Sequence, residues 1–340
     1  MNVILDENNA ADYARPQINR LFPGSEIVGV SEVTEQTYVN WIFRVDLNLA
    51  DGNSTSVYLR QSRDRVKTRP EIPVRSDRVA FEVNILKLIN SIVPDTVPTV
   101  LFFDKANNIS ISTDVRRGAP LLVNELVAGR VHPKSGTDFG HKIGAIHRST
   151  LDISDQEVRG SAQDNKEAIA FHLGMRLAPS QELFPDETAK LVSDGNVATN
   201  CLVLGDLASK NIFVDNDVIR FLDLERAWNG DPAFDSAFLF SHYLLEVPPA
   251  HIGDSIDFIH RFMKAYRAVL STSLSEASLV ALENRILRYL GVCVLYRIDG
   301  LYLVVDAKED KEVWRNRAAA LISDNESTDV TKAISVVLAD

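Results

Sequence analysis

Two carboxylates and a side-chain amide stand in this chain at a spacing that chemistry uses. Residues 201–235 read CLVLGDLASKNIFVDNDVIRFLDLERAWNGDPAFD. An apolar run, Cys201-Leu202-Val203-Leu204, leads into Gly205-Asp206, and Asn211 follows just before Ile212-Phe213-Val214. A polar turn at Asp215-Asn216-Asp217 and a second apolar run, Val218 to Leu222, then deliver Asp223. Two short apolar runs joined by a polar turn predict a hairpin. Such a hairpin returns Asp223 to the end where Asp206 and Asn211 enter. Oxygen ligands of this kind suit Mg²⁺, which keeps some waters and shares substrate phosphates. A second carboxylate can orient or deprotonate a hydroxyl nucleophile. Asp and Asn beside Gly are also ordinary turn residues. The signal lies in the combination: G-D-x-x-x-x-N, an apolar hairpin, D-x-E at Asp223 and Glu225, then G-D-P-x-x-D at Gly230, Asp231, Pro232 and Asp235.

The rest of the chain has to position that ribbon. At 340 residues it can hold one large domain or two lobes. A hydrophobic content of 45% with 24% charged residues is that of a soluble globular protein. No run of about 18 apolar residues predicts a membrane span, and MNVILDENNAADYARPQ does not read as a secretory signal. Cys201 and Cys293 sit in apolar runs, which predicts buried thiols in a reducing cytoplasm. The net charge of −11 argues against a nucleic-acid binder. It is compatible with a cationic small-molecule substrate. The acidic pieces from Asp152 to Glu157 and from Asp306 to Glu312 either draw in an amine or simply face solvent.

After one or two helices in residues 1–24, the pattern turns to strands. Ile27-Val28-Gly29-Val30, Val39 to Leu47 and Thr55 to Arg60 predict three consecutive antiparallel strands, with a hairpin signal at Asp51-Gly52-Asn53. Trp41, Phe43, Val45 and Leu47 alternate on one face. Residues 60–78 hold seven basic residues and two prolines and read as a loop, solvated or serving as a lid or anion site. Phe81, Ile85, Leu88 and Ile89 recur at helical spacing, and VLFFD and NISIST read as two more strands. Leu121 to Gly129 reads as an apolar strand. Beyond it the chain is largely helical: residues 138–150, with His147 as a packed or capping residue, broken helices over 163–192, and helices over 237–245, 252–270, 275–303 and 310–323.

The motifs at 204–235 resemble those of the aminoglycoside phosphotransferase/choline kinase-like small-molecule kinases, whose form is H-G-D-x-x-x-x-N, I-D-x-E and G-D-P-x-x-D. The resemblance covers roughly residues 25–323. It implies an α+β, protein-kinase-like two-lobe fold: an antiparallel sheet lobe over residues 1–125 and a mainly helical lobe over 126–340. It also implies transfer of phosphate from ATP (GTP remains open) with Mg²⁺ to a small-molecule hydroxyl, by a monomer or homodimer. In that scheme Asp206 orients the acceptor hydroxyl, and Lys210 touches substrate or phosphate, or lies at the surface. Asn211 and Asp223 hold Mg²⁺, and Glu225 braces the metal shell. Arg60 corresponds to the family's phosphate-binding lysine and Glu82 to its helix partner. Thr34 and Thr37 lie in the turn that covers phosphates, as phosphate donors or as plain turn residues. The backbone of Glu125, Leu126 and Val127 would hold the adenine ring. Asp231 and Asp235 are read as structural acceptors that hold the catalytic loop, with Phe234 and Phe238 packed beneath. Asp299, in Arg297-Ile298-Asp299-Gly300, reaches the substrate or forms a cap or ion pair. The chain departs from the pattern at Leu204, which replaces the histidine, at Arg60, and in the glycine-free turn. Those departures motivate a second reading, a nucleotide-binding pseudokinase that serves as a sensor or interaction module.

Overall fold

Alternation of apolar and polar residues along Trp41–Asn48 and Ser54–Gln61 builds the first part of the molecule. The computed structural model describes residues 3–34, 37–154, 170, 172–197, 200–300, 311–324, 327 and 329–339. Of the expectations above, residues 35–36 in the turn between Thr34 and Thr37, the acidic residues at 155–157 and 306–310, and part of the 163–192 region lie outside these. The chain divides into two compact units, Met1–Arg117 and Gly118–Asp340.

The first unit opens with helix α1 (Ala10–Leu21), followed by strands β1 (Glu26–Glu32), β2 (Trp41–Asn48) and β3 (Ser54–Gln61). A short ribbon, β4 (Arg65–Val66) and β5 (Arg69–Pro73), precedes helix α2 (Arg78–Ile92) and strands β6 (Val100–Asp104) and β7 (Ile109–Thr113). Five strands form one antiparallel sheet in the order β1-β2-β3-β7-β6. Phe43, Val45, Leu47, Val57, Leu59, Ile109 and Ile111 point to one face, where Ala10, Ala14 and Ile18 of α1 close the core. Side chains alternate across a strand, so Arg60, next to buried Leu59, turns to the other face and meets Glu82 of α2. The expected loop at 60–78 is instead partly a two-stranded ribbon, because its tip finds backbone partners. The amides of Lys67 and Thr68 donate to the carbonyls of Val39 and Tyr38 at 3.3 and 3.1 Å.

The second unit is mainly helical. It contains α3 (Leu122–Val127), α4 (Ser135–Ser149), a π-helical turn (His172–Arg176), α5 (Ala178–Leu183) and α6 (Pro185–Val197). Strands β8 (Cys201–Val203), β9 (Ile212–Asp215), β10 (Val218–Phe221) and β11 (Trp228–Gly230) form two short ribbons, β9 with β10 and β8 with β11. Helices α7 (Ala233–Leu245), α8 (Ile252–Leu270), α9 (Glu276–Asp299), α10 (Lys311–Ser323) and α11 (Val330–Ala339) complete it. Every residue of α7 is buried. Helix α4 lies directly against α8: a Cβ on Gly136 or Gly140 would sit 2.4 Å from the carbonyl oxygen of Phe258 or 2.3 Å from that of Phe262. The i, i+4 glycines therefore allow two backbones to approach where larger residues would hold them apart. None of the described helices is long and apolar enough to cross a membrane.

The strand expected over Leu121–Gly129 is a helix. Leu122, Glu125 and Leu126 are all buried, an i, i+3, i+4 set that a helix satisfies and a strand does not. Only Leu121 is bridged as a strand residue, to Phe213.

Candidate active site

The ribbon end assembles as its spacing predicts. Val218 to Phe221 pair with Asp215 to Ile212 in antiparallel register. The Leu222 amide then donates to the Asn211 carbonyl at 3.0 Å, which fixes Asp223 beside the residue that opens the hairpin. Asp223 has a left-handed backbone, φ 66°. Outside glycine that conformation is uncommon, and it clusters where a side chain must be aimed. Asp223 and Glu225 are half-buried, and buried Leu224 between them anchors the segment.

The loop that carries Asp206 is held by hydrogen bonds on every side. Gly205 has φ 78°, and a Cβ there would lie 2.5 Å from both the Arg226 carbonyl oxygen and the Trp228 ring, so only glycine fits. Asp235, fully buried on α7, accepts the amides of Leu204 and Gly205 at 2.7 and 2.9 Å. His147 Nε2 donates to the same carboxylate at 3.1 Å, while its Nδ1 faces the Tyr266 hydroxyl at 2.8 Å. His147 is thus the packed residue it was expected to be. Asp231 accepts from Arg285 at 2.7 and 3.2 Å and from the Ala233 amide at 3.1 Å. Asp235 of the G-D-P-x-x-D motif therefore braces the loop, whereas Asp231 ties the start of α7 to Arg285 of α9, and Phe234 and Phe238 stack with centroids 5.5 Å apart.

At the centre, Asn211 Nδ2 donates to Asp206 Oδ2 at 3.2 Å. Arg176, which the sequence reading passed over, donates through Nη2 to Asp206 Oδ1 at 2.8 Å and through Nη1 to the Gly205 carbonyl. Lys210 sits half-buried in the 3₁₀ turn Ser209–Asn211. Below that turn, Ser209 Oγ lies 3.1 Å from His242 Nδ1, which in turn lies 2.8 Å from Glu246 Oε1. Arg297 Nη2 donates to that same oxygen at 2.5 Å. Burial favours the acid form of Glu246, but His242 and Arg297 outweigh it and hold the carboxyl at about 2. Burial and Arg297 push His242 below its ordinary value, against the pull of Glu246.

The phosphotransferase enzyme family model matches residues 47–270, more than half of the chain, a span that holds Arg176, Asp206, Asn211, Asp223, Asp231 and Asp235. The chain belongs to that family. A methylthioribose kinase of Geobacillus kaustophilus is 26% identical over 199 residues, 51% of this chain and 50% of that protein. The chain thus spans about half the length of the curated relative it matches. Two solved structures share the fold. A choline/ethanolamine kinase family protein from Mesorhizobium loti has a TM-score of 0.51 and 15% identity, over 97% of this chain and 99% of that one. An ethanolamine kinase from Plasmodium vivax has a TM-score of 0.52 and 13% identity, over 99% and 89%.

Within this family member the expected nucleotide residues fare unevenly. Arg60 Nε and Glu82 Oε2 form the predicted ion pair at 2.9 Å. Thr34 is exposed, and the Thr37 hydroxyl donates to the Val33 carbonyl at 2.7 Å, as a turn residue does. Lys67, from the β4–β5 ribbon, reaches that turn and pairs with Glu32 at 2.5 Å. The extended backbone on which the adenine contact of Glu125, Leu126 and Val127 depended is absent. Their segment is helical, and the carbonyls of Glu125 and Leu126 already accept the amides of Arg130 and Gly129 at 2.8 and 2.9 Å. The Glu125 side chain binds Arg130 and His132, which hold it at about 2 despite its burial. Asp299 forms an ion pair with Arg315 at 2.6 Å. The sequence carried no periodic signal for Arg176. Its assignment needs the fold.

Proposed function

We propose that the protein transfers the γ-phosphoryl group of ATP to a hydroxyl of a small molecule in a Mg²⁺-dependent reaction. The observation that carries this reading is the convergence of Asp206, Asn211 and left-handed Asp223 at one end of the β9–β10 ribbon. Phosphoryl transfer asks a protein for positioning and charge neutralisation more than for covalent chemistry, and the ribbon supplies fixed oxygens for both.

Among the described residues no three His, Cys, Asp or Glu side chains gather into a metal cage. Two carboxylates with an amide still fit Mg²⁺, which takes its remaining ligands from water and phosphate. Asn211 and Asp223 would hold that ion, which when bound neutralises phosphate charge, and Glu225 would steady its waters. Asp206 orients the acceptor hydroxyl and accepts its proton as the new bond forms. In the sheet unit, Arg60, paired with Glu82, is the cation proposed for nucleotide phosphate.

The methylthioribose kinase match makes methylthioribose the first acceptor to assay. The decisive experiment is a coupled ADP-release screen over methylthioribose, choline, ethanolamine, simple sugars and aminoglycosides. The reading expects acceptor-dependent ADP release with at least one of them. Stabilisation by ATP and Mg²⁺ without release toward any acceptor would favour the pseudokinase.

A further inference from the structure

Asp206 is held by an arginine that no motif announces, and we propose that Arg176 is the positioning residue of the catalytic carboxylate. The proposal rests on the reading of Asp206 as the group that meets the acceptor hydroxyl.

The geometry leaves the guanidinium little freedom. Arg176 closes the π-helical turn His172–Arg176 and is buried. Its ring-like plane lies over Phe234 and Phe238, with the central carbon 5.2 and 4.6 Å from the two centroids. Two of its donors meet neighbouring acceptors, Asp206 Oδ1 and the Gly205 carbonyl. A planar fork that bonds two acceptors while stacked on aromatic faces has its tilt and rotation both set, which a lysine could not match.

The consequence for Asp206 is direct. Its Oδ1 is fixed by Arg176 and its Oδ2 by Asn211 Nδ2 at 3.2 Å, so rotation of the carboxylate breaks both bonds. The backbone leading to it is fixed from two sides as well. Asp235 takes the Gly205 amide, and Arg176 takes the Gly205 carbonyl. The preceding side chain, Leu204, is buried and aliphatic and has no hydrogen bond to offer. Orientation of Asp206 therefore falls to a residue well upstream in sequence. A misplacement of about 1 Å at a reacting group costs on the order of 10²-fold in rate, so the orientation matters to turnover.

A double-mutant cycle with Arg176→Met, Asp206→Asn and their combination tests this, with ADP release measured from ATP and Mg²⁺ with methylthioribose, water serving as the acceptor in a parallel series. Arg176→Met should lower kcat about 10²-fold with the KM for ATP unchanged. In the Asp206→Asn background the same change should cost nothing further, because the carboxylate it orients is gone. Arg176→Lys, which keeps the charge but not the fork, should recover part of the loss. Thermal melting of each variant shows whether it is folded, and Arg176→Lys carries the test if Arg176→Met is not. Parent-like kcat in a folded Arg176→Met, or an equal loss in both backgrounds, overturns the proposal. Parent-like turnover in Asp206→Asn sinks the reading of Asp206 itself, which is a separate failure. A crystal structure of Arg176→Met gives a readout that needs no activity: the Asp206–Asn211 bond should be lost or the carboxylate split between conformers. An unmoved carboxylate contradicts the role.

Discussion

In each unit one arginine–carboxylate pair includes a residue proposed to meet a ligand, and these two pairs are mirror images. In the sheet unit Arg60 is the more exposed member, its side chain 14% exposed against 5% for Glu82. In the helical unit the order reverses: Asp206 is 16% exposed and Arg176 4%. In each pair the member nearer solvent is the one proposed to meet a ligand, and the buried member aims it. A buried charge is costly unless it is paired and hydrogen-bonded, so each aiming residue is tied to the group it aims. A third pair provides the contrast. Arg285 and Asp231 are 11% and 6% exposed, and Asp231 also caps its own helix. Neither member has been assigned a ligand, and the pair serves the fold.

The comparison breaks first at Asp206. Asp206→Asn should lower turnover by about 10²–10⁴-fold, the usual range for a general base, while ATP affinity, followed by calorimetry, stays at the parent value. Next in size, Arg285→Met strands Asp231 and should cost about 3–5 kcal/mol of stability in urea unfolding. Its folded fraction should turn over at the parent rate. A drop in kcat there would erase the distinction between a structural and an aiming pair. Arg60→Met removes a charged hydrogen-bond donor, worth about 1.5–3 kcal/mol. It should raise the KM for ATP and also lower the melting temperature, because it strands buried Glu82 as Arg285→Met strands Asp231.

A smaller effect is read from pH. The Glu246 carboxyl is held at about 2 in the fold, against an ordinary value of 4.5. A lowered carboxyl stabilises the native state above its unfolded value and loses that contribution as pH falls through the folded one. His242, pushed down by burial, adds the same sign, its part fading as pH drops below its ordinary 6.5. The urea midpoint should therefore fall as pH is lowered from 4.5 toward 2, and Glu246→Gln should flatten that stretch. Smallest of all, Asp299→Asn opens an ion pair whose arginine is half in solvent. It should leave both the urea midpoint and the KM of the acceptor unmoved. A raised acceptor KM would place Asp299 with the ligand after all.

Legibility in the sequence followed the range of the forces involved. The β9–β10 hairpin and the three-strand start of the sheet rest on local alternation and turn residues, and they formed where expected. Arg60 and Glu82 were readable only through their position in the family resemblance, and the structure brings them together as an ion pair at 2.9 Å. Leu121–Gly129 was misread because a short apolar run suits a strand or a buried helical turn equally. Burial of Glu125 beside Arg130 and His132 decided it, and no single-residue property shows such a partnership in advance. Arg176 is the extreme case. It reaches Asp206 across 30 positions of sequence, and its role exists only once the π-helical turn, the aromatic stack and the Gly205 turn are in place.

The most direct test follows the phosphate itself. ATP labelled in its γ-phosphate, incubated with the protein, Mg²⁺ and methylthioribose or another acceptor identified by ADP release, should yield a labelled small molecule separable by chromatography. Asp206→Asn should yield almost none while still binding the nucleotide. Label that stays on ATP or appears only as inorganic phosphate, with every acceptor in the panel, would contradict the account.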